Sequence, residues 1–199
     1  MTMLADGLLS GRALRSNDVD AVVATLTSAF VADPVIRWMY PAASRYLAAF
    51  PRFMHAFGGA AFRHGTVLRA SGDAAAAMWL APGIAPDGDA IEACLLDTVD
   101  PALHESLFAV FADMDAAHPE VEHWYLPWFG TDAAFQSRGL GSRLMRQSLE
   151  TADVQGLPAY LETPNPRNIG FYERHGFAVT GRTQHGTCPP VTFMWREAR

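Results

Sequence analysis

The run Gln136, Ser137, Arg138, Gly139, Leu140, Gly141 and Ser142 sets two glycines, an arginine and two hydroxyls between a strand-like apolar stretch, 123–131, and a helix-like one, 142–152. The chemistry that this spacing offers is anion binding. The first turn of a helix carries N–H groups without intrahelical partners and the positive end of the aligned peptide dipoles, which together suit a phosphate. Gly139 and Gly141 lack a Cβ, so the chain can turn sharply and an anion can approach the backbone, while Ser137, Arg138 and Ser142 can add contacts. By itself, a glycine pair ahead of a helix is also ordinary turn chemistry. Three later residues can move protons or orient a ligand. Tyr172 is a phenol that keeps its proton at neutral pH, Asn168 stands one helical turn before it, and Glu162 is an acid among apolar neighbours. Each has a plain structural reading too: packing for Tyr172 beside Phe171, a cap for Asn168, a paired or solvated carboxylate for Glu162. Glu122, His123 and His118 are further base candidates behind Glu162, because histidines near strand ends are more often surface or satisfied core groups.

The chain of 199 residues is half apolar, enough to bury one good core, and no linker, repeat or low-complexity stretch divides it, so one domain spanning 1–199 is expected. Its net charge of −6 comes from scattered acids without a basic run, which argues against a nucleic-acid partner and for a small molecule. Cys94 and Cys188 form no CxxC or Cys/His spacing, so neither a metal site nor a disulfide framework is expected. The first residues lack a basic start followed by a long apolar run, and no segment is long enough to span a bilayer. Cytoplasmic residence without membrane contact follows as the expectation.

The elements that must position the chemistry are legible in outline. Asn17 can cap a helix with Val19, Val22, Val23, Leu26 and Phe30 at helical spacing, ending at Asp33-Pro34. A second helix over 43–63 is expected to kink or restart at Pro51. Two short strands, 66–70 and 74–80, flank Ser71-Gly72-Asp73, and helices follow over 89–98 and 101–117. In the aromatic strand after Pro119, Pro127 has no N–H to give a ladder and points to an edge, a bulge or a splayed end. The next helix and a strand over 158–163 make a β-loop-α-β unit, which requires two parallel strands. A short helix over 167–175 and strands over 177–180 and 191–195 close the chain. The fold class expected is α+β, a mixed sheet with helices on both faces.

With Gln136-Ser137-Arg138-Gly139-Leu140-Gly141 on a strand-to-helix turn, followed by Asn168, Phe171-Tyr172-Glu173-Arg174 and Gly176-Phe177, the sequence resembles the GCN5-related N-acetyltransferases (GNAT). Within that family it is similar to puromycin N-acetyltransferase and its small-molecule relatives, through Leu161-Glu162-Thr163 and Pro166-Arg167-Asn168. Ala133-Ala134 departs from the Asp-Pro or Ser-Pro turn that relatives often have there. The resemblance implies a central, mostly antiparallel sheet whose parallel strands splay at the coenzyme A cleft. It also implies acetyl-CoA as donor and a small-molecule amine as acceptor, in a monomer or homodimer.

On that resemblance, residues 136–142 hold the pyrophosphate, and a backbone N–H in the stretch Trp128, Phe129, Gly130 and Thr131 faces the thioester oxygen. Asn168 contacts the pantetheine arm, Tyr172 is the acid for the departing thiolate, and Glu162 takes the amine proton directly or through water. Asp33, Trp38, Tyr40 and Trp79 stand near ends of front-half elements, where an acceptor pocket can form, though most are expected to pack. Leu144 occupies the place of a third Rossmann glycine, and the Gly-Lys-Ser/Thr of a P-loop is absent. The alternative kept is a GNAT fold that binds CoA or a regulatory ligand without transferring anything.

Overall fold

The computed structural model describes residues 16–199. Helix α1 is described over Ser16–Ala29, so Asn17 is a helical residue and not the flanking cap that its type suggests. Val22 and Leu26 are buried on its inner side. A separate short helix, α2 (Pro34–Met39), starts at the Asp33-Pro34 pair that the sequence marks as an end. The Asp33 carboxylate caps it, accepting from the N–H groups of Val35 and Ile36 at 3.1 Å each.

Helix α3 (Ala43–Gly58) does not restart at Pro51: it runs through the proline and breaks at Gly59, ahead of α4 (Ala60–His64). Tyr46 and Phe50 before the proline and Phe53 and Met54 after it are buried on one face, so packing on both sides holds the helix together. The backbone bond that Pro51 cannot make belongs to Leu47, an exposed residue where water can serve the carbonyl.

Strands β1 (Val67–Arg69) and β2 (Ala75–Leu80) form a hairpin; α5 (Gly88–Thr98) and α6 (His104–Ala117) follow. Then come β3 (Trp124–Thr131), α7 (Leu140–Gln155), β4 (Ala159–Thr163), α8 (Pro166–Glu173), β5 (Ala178–Thr183) and β6 (Val191–Arg196). The sheet order is β1-β2-β3-β4-β6-β5, and every neighbouring pair is antiparallel except β3 and β4. This is the expected α+β architecture, with the βαβ crossover supplying the parallel pair.

Strand β2 shows why the sheet is covered on both faces. Ala76, Met78 and Leu80 join a core with α1, α2, α3, α5 and α6, whereas Ala75, Ala77 and Trp79 join a second core with α7 and α8. Trp128 anchors the first core, with Phe30, Phe50 and Phe53 edge-on to its ring at centroid distances of 5.1, 5.3 and 5.7 Å.

The feature that shapes the site is where β3 and β4 part. Their parallel ladder has only two rungs, Trp124 opposite Ala159 and Tyr125 opposite Tyr160. On the other edge of β3, Tyr125 and Trp128 pair with Leu80 and Met78, so Leu126 and Pro127 together face Trp79 alone. That is a bulge, and it falls where a proline costs no ladder bond. Beyond it β3 stays with β2 and β4 stays with β6, leaving a V in the sheet.

Candidate active site

The loop between β3 and α7 is folded by short polar contacts. Asp132 accepts from the N–H of Ala134 at 2.8 Å, and the Gln136 side-chain amide donates to the Thr131 carbonyl at 3.1 Å. Ser137 and Gly139 both take positive φ, +60° and +77°, and Gly139 starts α7 without any side-chain cap. Backbone turned in that way presents consecutive N–H groups to one side, and the helix dipole adds positive potential there. A Cβ at Gly141 would lie 3.1 Å from the Thr131 hydroxyl, so a side chain here would crowd the lead-in to the helix. The cradle therefore fits a diphosphate on its own geometry.

This cradle opens on a cleft of about 600 Å³. Phe129, Gly130, Thr131, Gln136, Ser137, Gly139, Leu140, Gly141 and Ser142 line one side, and Asn168 and Tyr172 line the other. Two residues read as cofactor contacts, Trp128 through its backbone N–H and Arg138, do not line this cleft with their side chains. The Trp128 ring sits in the aromatic core and lines a smaller inner chamber, and the exposed Arg138 guanidinium lies over the Phe135 ring at 5.4 Å. Arg167 and Arg174, which the sequence shows as parts of the motifs around Asn168 and Tyr172 without a role of their own, also line the cleft. The signal was their place beside Asn168 and Tyr172, but arginines on a helix also read as a solvated face.

Helix α8 is capped by Asn165, which accepts from the Arg167 N–H at 3.1 Å. Asn168 is thus released from the capping role, and with Tyr172, one turn on, it faces both the cleft and the inner chamber. Tyr172 is 6% exposed, and burial raises its phenol above the ordinary range, with the charge of Asp33 pushing the same way. Asp33 also borders both spaces; burial lifts its carboxyl to about 6 against the opposing bonds from Ile36 and Val35. Trp38, by contrast, donates to the Thr187 hydroxyl at 3.1 Å, and Tyr40 and Trp79 are core residues.

Glu162 stands on β4 past the last parallel rung, opposite Phe193 of β6. It lines the inner chamber, about 100 Å³, and also an outer cleft of about 660 Å³ between α3, α5, α6 and the start of β3. Burial raises its carboxyl to about 7, and the Tyr125 and Tyr160 phenols pull it back down. A carboxyl at that value is half ionised near neutrality, which suits a base. His118 and His123 line the outer cleft with their Nε2 atoms 3.1 Å apart, and His118 packs edge-on against both tyrosines. The third alternative base, Glu122, is exposed on that cleft's rim.

Cys94 and Cys188 are buried and lie outside these three spaces, and burial raises both thiols, so neither is placed as a nucleophile. Among the described residues no cluster of three or more His, Cys, Asp or Glu is placed to hold a metal, and no helix is long and apolar enough to cross a membrane.

A V-shaped gap between parallel strands, bordered by a phosphate cradle, defines a coenzyme-binding acyltransferase fold. The model of the acetyltransferase (GNAT) family matches residues 59–177, and the chain belongs to that family, whose acyl donor is acetyl-CoA. It is 24% identical to an uncharacterized N-acetyltransferase of Schizosaccharomyces pombe over 95% of this chain and 83% of that protein. Among solved structures it is similar to histone acetyltransferase HPA2 and related acetyltransferase from Corynebacterium glutamicum, with a TM-score of 0.63, 24% identity, and 98% of each chain covered. It is also similar to Arabidopsis thaliana Naa50 in complex with a bisubstrate analogue of CoA, with a TM-score of 0.56, 15% identity, and 98% and 99% covered.

Proposed function

We propose that this protein is an acetyl-CoA-dependent N-acetyltransferase that acts on the amine of a small molecule by direct attack on the thioester. The observation that carries the reading is the arrangement of spaces: a donor cleft and an outer cleft lie on either side of one small chamber, with Tyr172 bordering the first and Glu162 the second. Acetyl-CoA supplies a thioester whose acetyl group the amine takes, with release of the CoA thiol. The N–H groups around Ser137, Gly139 and Gly141 and the start of α7 hold the phosphates, with Arg167 and Arg174 adding charge. The edge of β3 past Tyr125, free of β4, offers an N–H to the acyl oxygen.

Alkyl amines arrive protonated, and the ionised Glu162 takes that proton at the mouth of the chamber. Tyr172 keeps its proton because burial disfavours the phenolate, and its O–H stabilises the sulfur as negative charge develops there. Two unpaired thiols suit a reducing compartment such as the cytoplasm.

Purified protein with acetyl-CoA and an amine panel, puromycin included, should release free thiol with at least one amine. CoA binding without thiol release from any of them would point instead to a CoA-binding or ligand-sensing role.

The cradle has its own test. Gly139→Val puts a β-branched residue at a φ of +77°, at a cost of about 1–3 kcal/mol that distorts the turn. The affinity for CoA should fall about 10-fold or more by calorimetry. Unaltered affinity would remove the loop from the phosphate site.

A further inference from the structure

The outer cleft is unlike the donor cleft in both shape and charge. Its apolar wall carries a group of rings: Phe57 and Phe111 meet edge-on at 6.1 Å, Tyr125 meets Phe57 at 6.3 Å, and Phe108, Met114 and Ile84 stand in the same wall. Of these, Phe108, Phe111 and Met114 sit on α6 half-buried, packed on one side against the core that holds Leu107 and Val110 and lining the cleft with the surface left over. Five carboxyl groups line it, Glu92, Asp115, Glu120 and Glu122, with Glu162 at the inner end, against two imidazoles, His118 and His123. No arginine lines it among the described residues, and the sequence has no lysine. Burial and the neighbouring His123 hold His118 below its ordinary pKa, so that ring adds no positive charge at neutral pH. A space of about 660 Å³ with such walls has room for a ring system carrying a short amine arm.

Resting on the acetyl-transfer reading above, we infer that this cleft is the acceptor site, and that it selects a primary amine carried on an aromatic body while rejecting free α-amino acids. The aromatic body is taken up by the ring walls, and the cation is drawn by the carboxylates. An amino acid of the same body brings a second carboxylate to the carbon that bears the amine. That group would stand beside Glu162, where burial already disfavours the ionised form, and a like charge pushes the Glu162 carboxyl still higher. Binding is weakened and the base is lost together.

Tryptamine and tryptophan, or phenethylamine and phenylalanine, differ by that one carboxylate and make a direct test. Calorimetry on the full-length protein saturated with CoA should show each amine bound at least about 30-fold more tightly than its amino acid. Thiol release from acetyl-CoA should favour the amines by about 100-fold or more in kcat/KM. Phe111→Ala should weaken tryptamine binding about 10-fold with CoA affinity unchanged. If that variant does not fold, the exposed Glu122→Arg should weaken it several-fold.

Equal binding of amine and amino acid, or no measurable binding of either amine, overturns the inference. The two readings separate cleanly: discrimination in binding without thiol release keeps the acceptor assignment and ends the transfer reading, whereas thiol release with amino acids and not amines does the reverse.

Discussion

Tyr172→Phe is expected to lower kcat by about 100-fold or more while leaving the affinity for CoA within about twofold. The substitution removes one oxygen and no ring. Tyr172 packs edge-on against Phe171 at 5.2 Å and Phe177 at 5.9 Å, and phenylalanine repeats those contacts in the same volume. What is lost is the one O–H that α8 points at the junction of donor cleft and inner chamber. Because burial holds the phenol protonated, its part in the proposed reaction is to donate to the departing sulfur, an interaction stronger in the transition state than in the ground state. Its loss therefore falls on kcat, with little change in binding. Stopped assays of thiol release over a range of acetyl-CoA, with calorimetry on the same preparation, separate the two. A variant with unchanged turnover on a verified acceptor would take Tyr172 out of the acid role.

The donor half of the site was legible in the sequence because its signals are local. A glycine loop between a strand and a helix, a proline in the strand ahead of it, and a crossover of helical period together fix β3, α7 and β4 as a parallel unit. Pro127 indicated the break in the ladder, and the bulge lies at Leu126 and Pro127. Pro166 suits the first position of a helix, which makes Asn165 the cap and leaves Asn168 free to face the cleft. At Pro51 the helix continues where a restart was possible, because a missing backbone bond at an exposed residue is outweighed by four buried side chains that sequence spacing alone cannot weigh.

The outer cleft was not legible, for a physical reason. Its walls come from α3, α5, α6 and β3, brought together by tertiary packing, and a helical face of Phe111 and Met114 reads the same whether it meets a core or a cavity. Of Asp33, Trp38, Tyr40 and Trp79, only Asp33 reaches the described clefts around the acetyl-transfer site, and it does so while capping α2.

Glu162→Gln is expected to lower kcat/KM by about 100-fold or more at pH 8 and to abolish its dependence on pH near 7. The sign follows from the direction of the shift. Glu162 accepts a proton only when ionised, so wild-type kcat/KM should climb as pH rises through about 7 and fall roughly tenfold per unit below it. Stability runs the other way. The folded carboxyl titrates above its unfolded value, so its stabilising share is fully present below the unfolded pKa and is lost as pH rises through about 7. Above pH 7 the enzyme thus keeps an ionised acid in a place that disfavours it, and the glutamine variant should melt no lower than wild type there. Loss of activity without loss of stability separates a chemical role from a structural one. Asp33 provides the internal control, since its carboxyl titrates at about 6 in the same neighbourhood. If the variant keeps a full acid limb displaced toward 6, then Asp33, not Glu162, is the group that takes the amine proton.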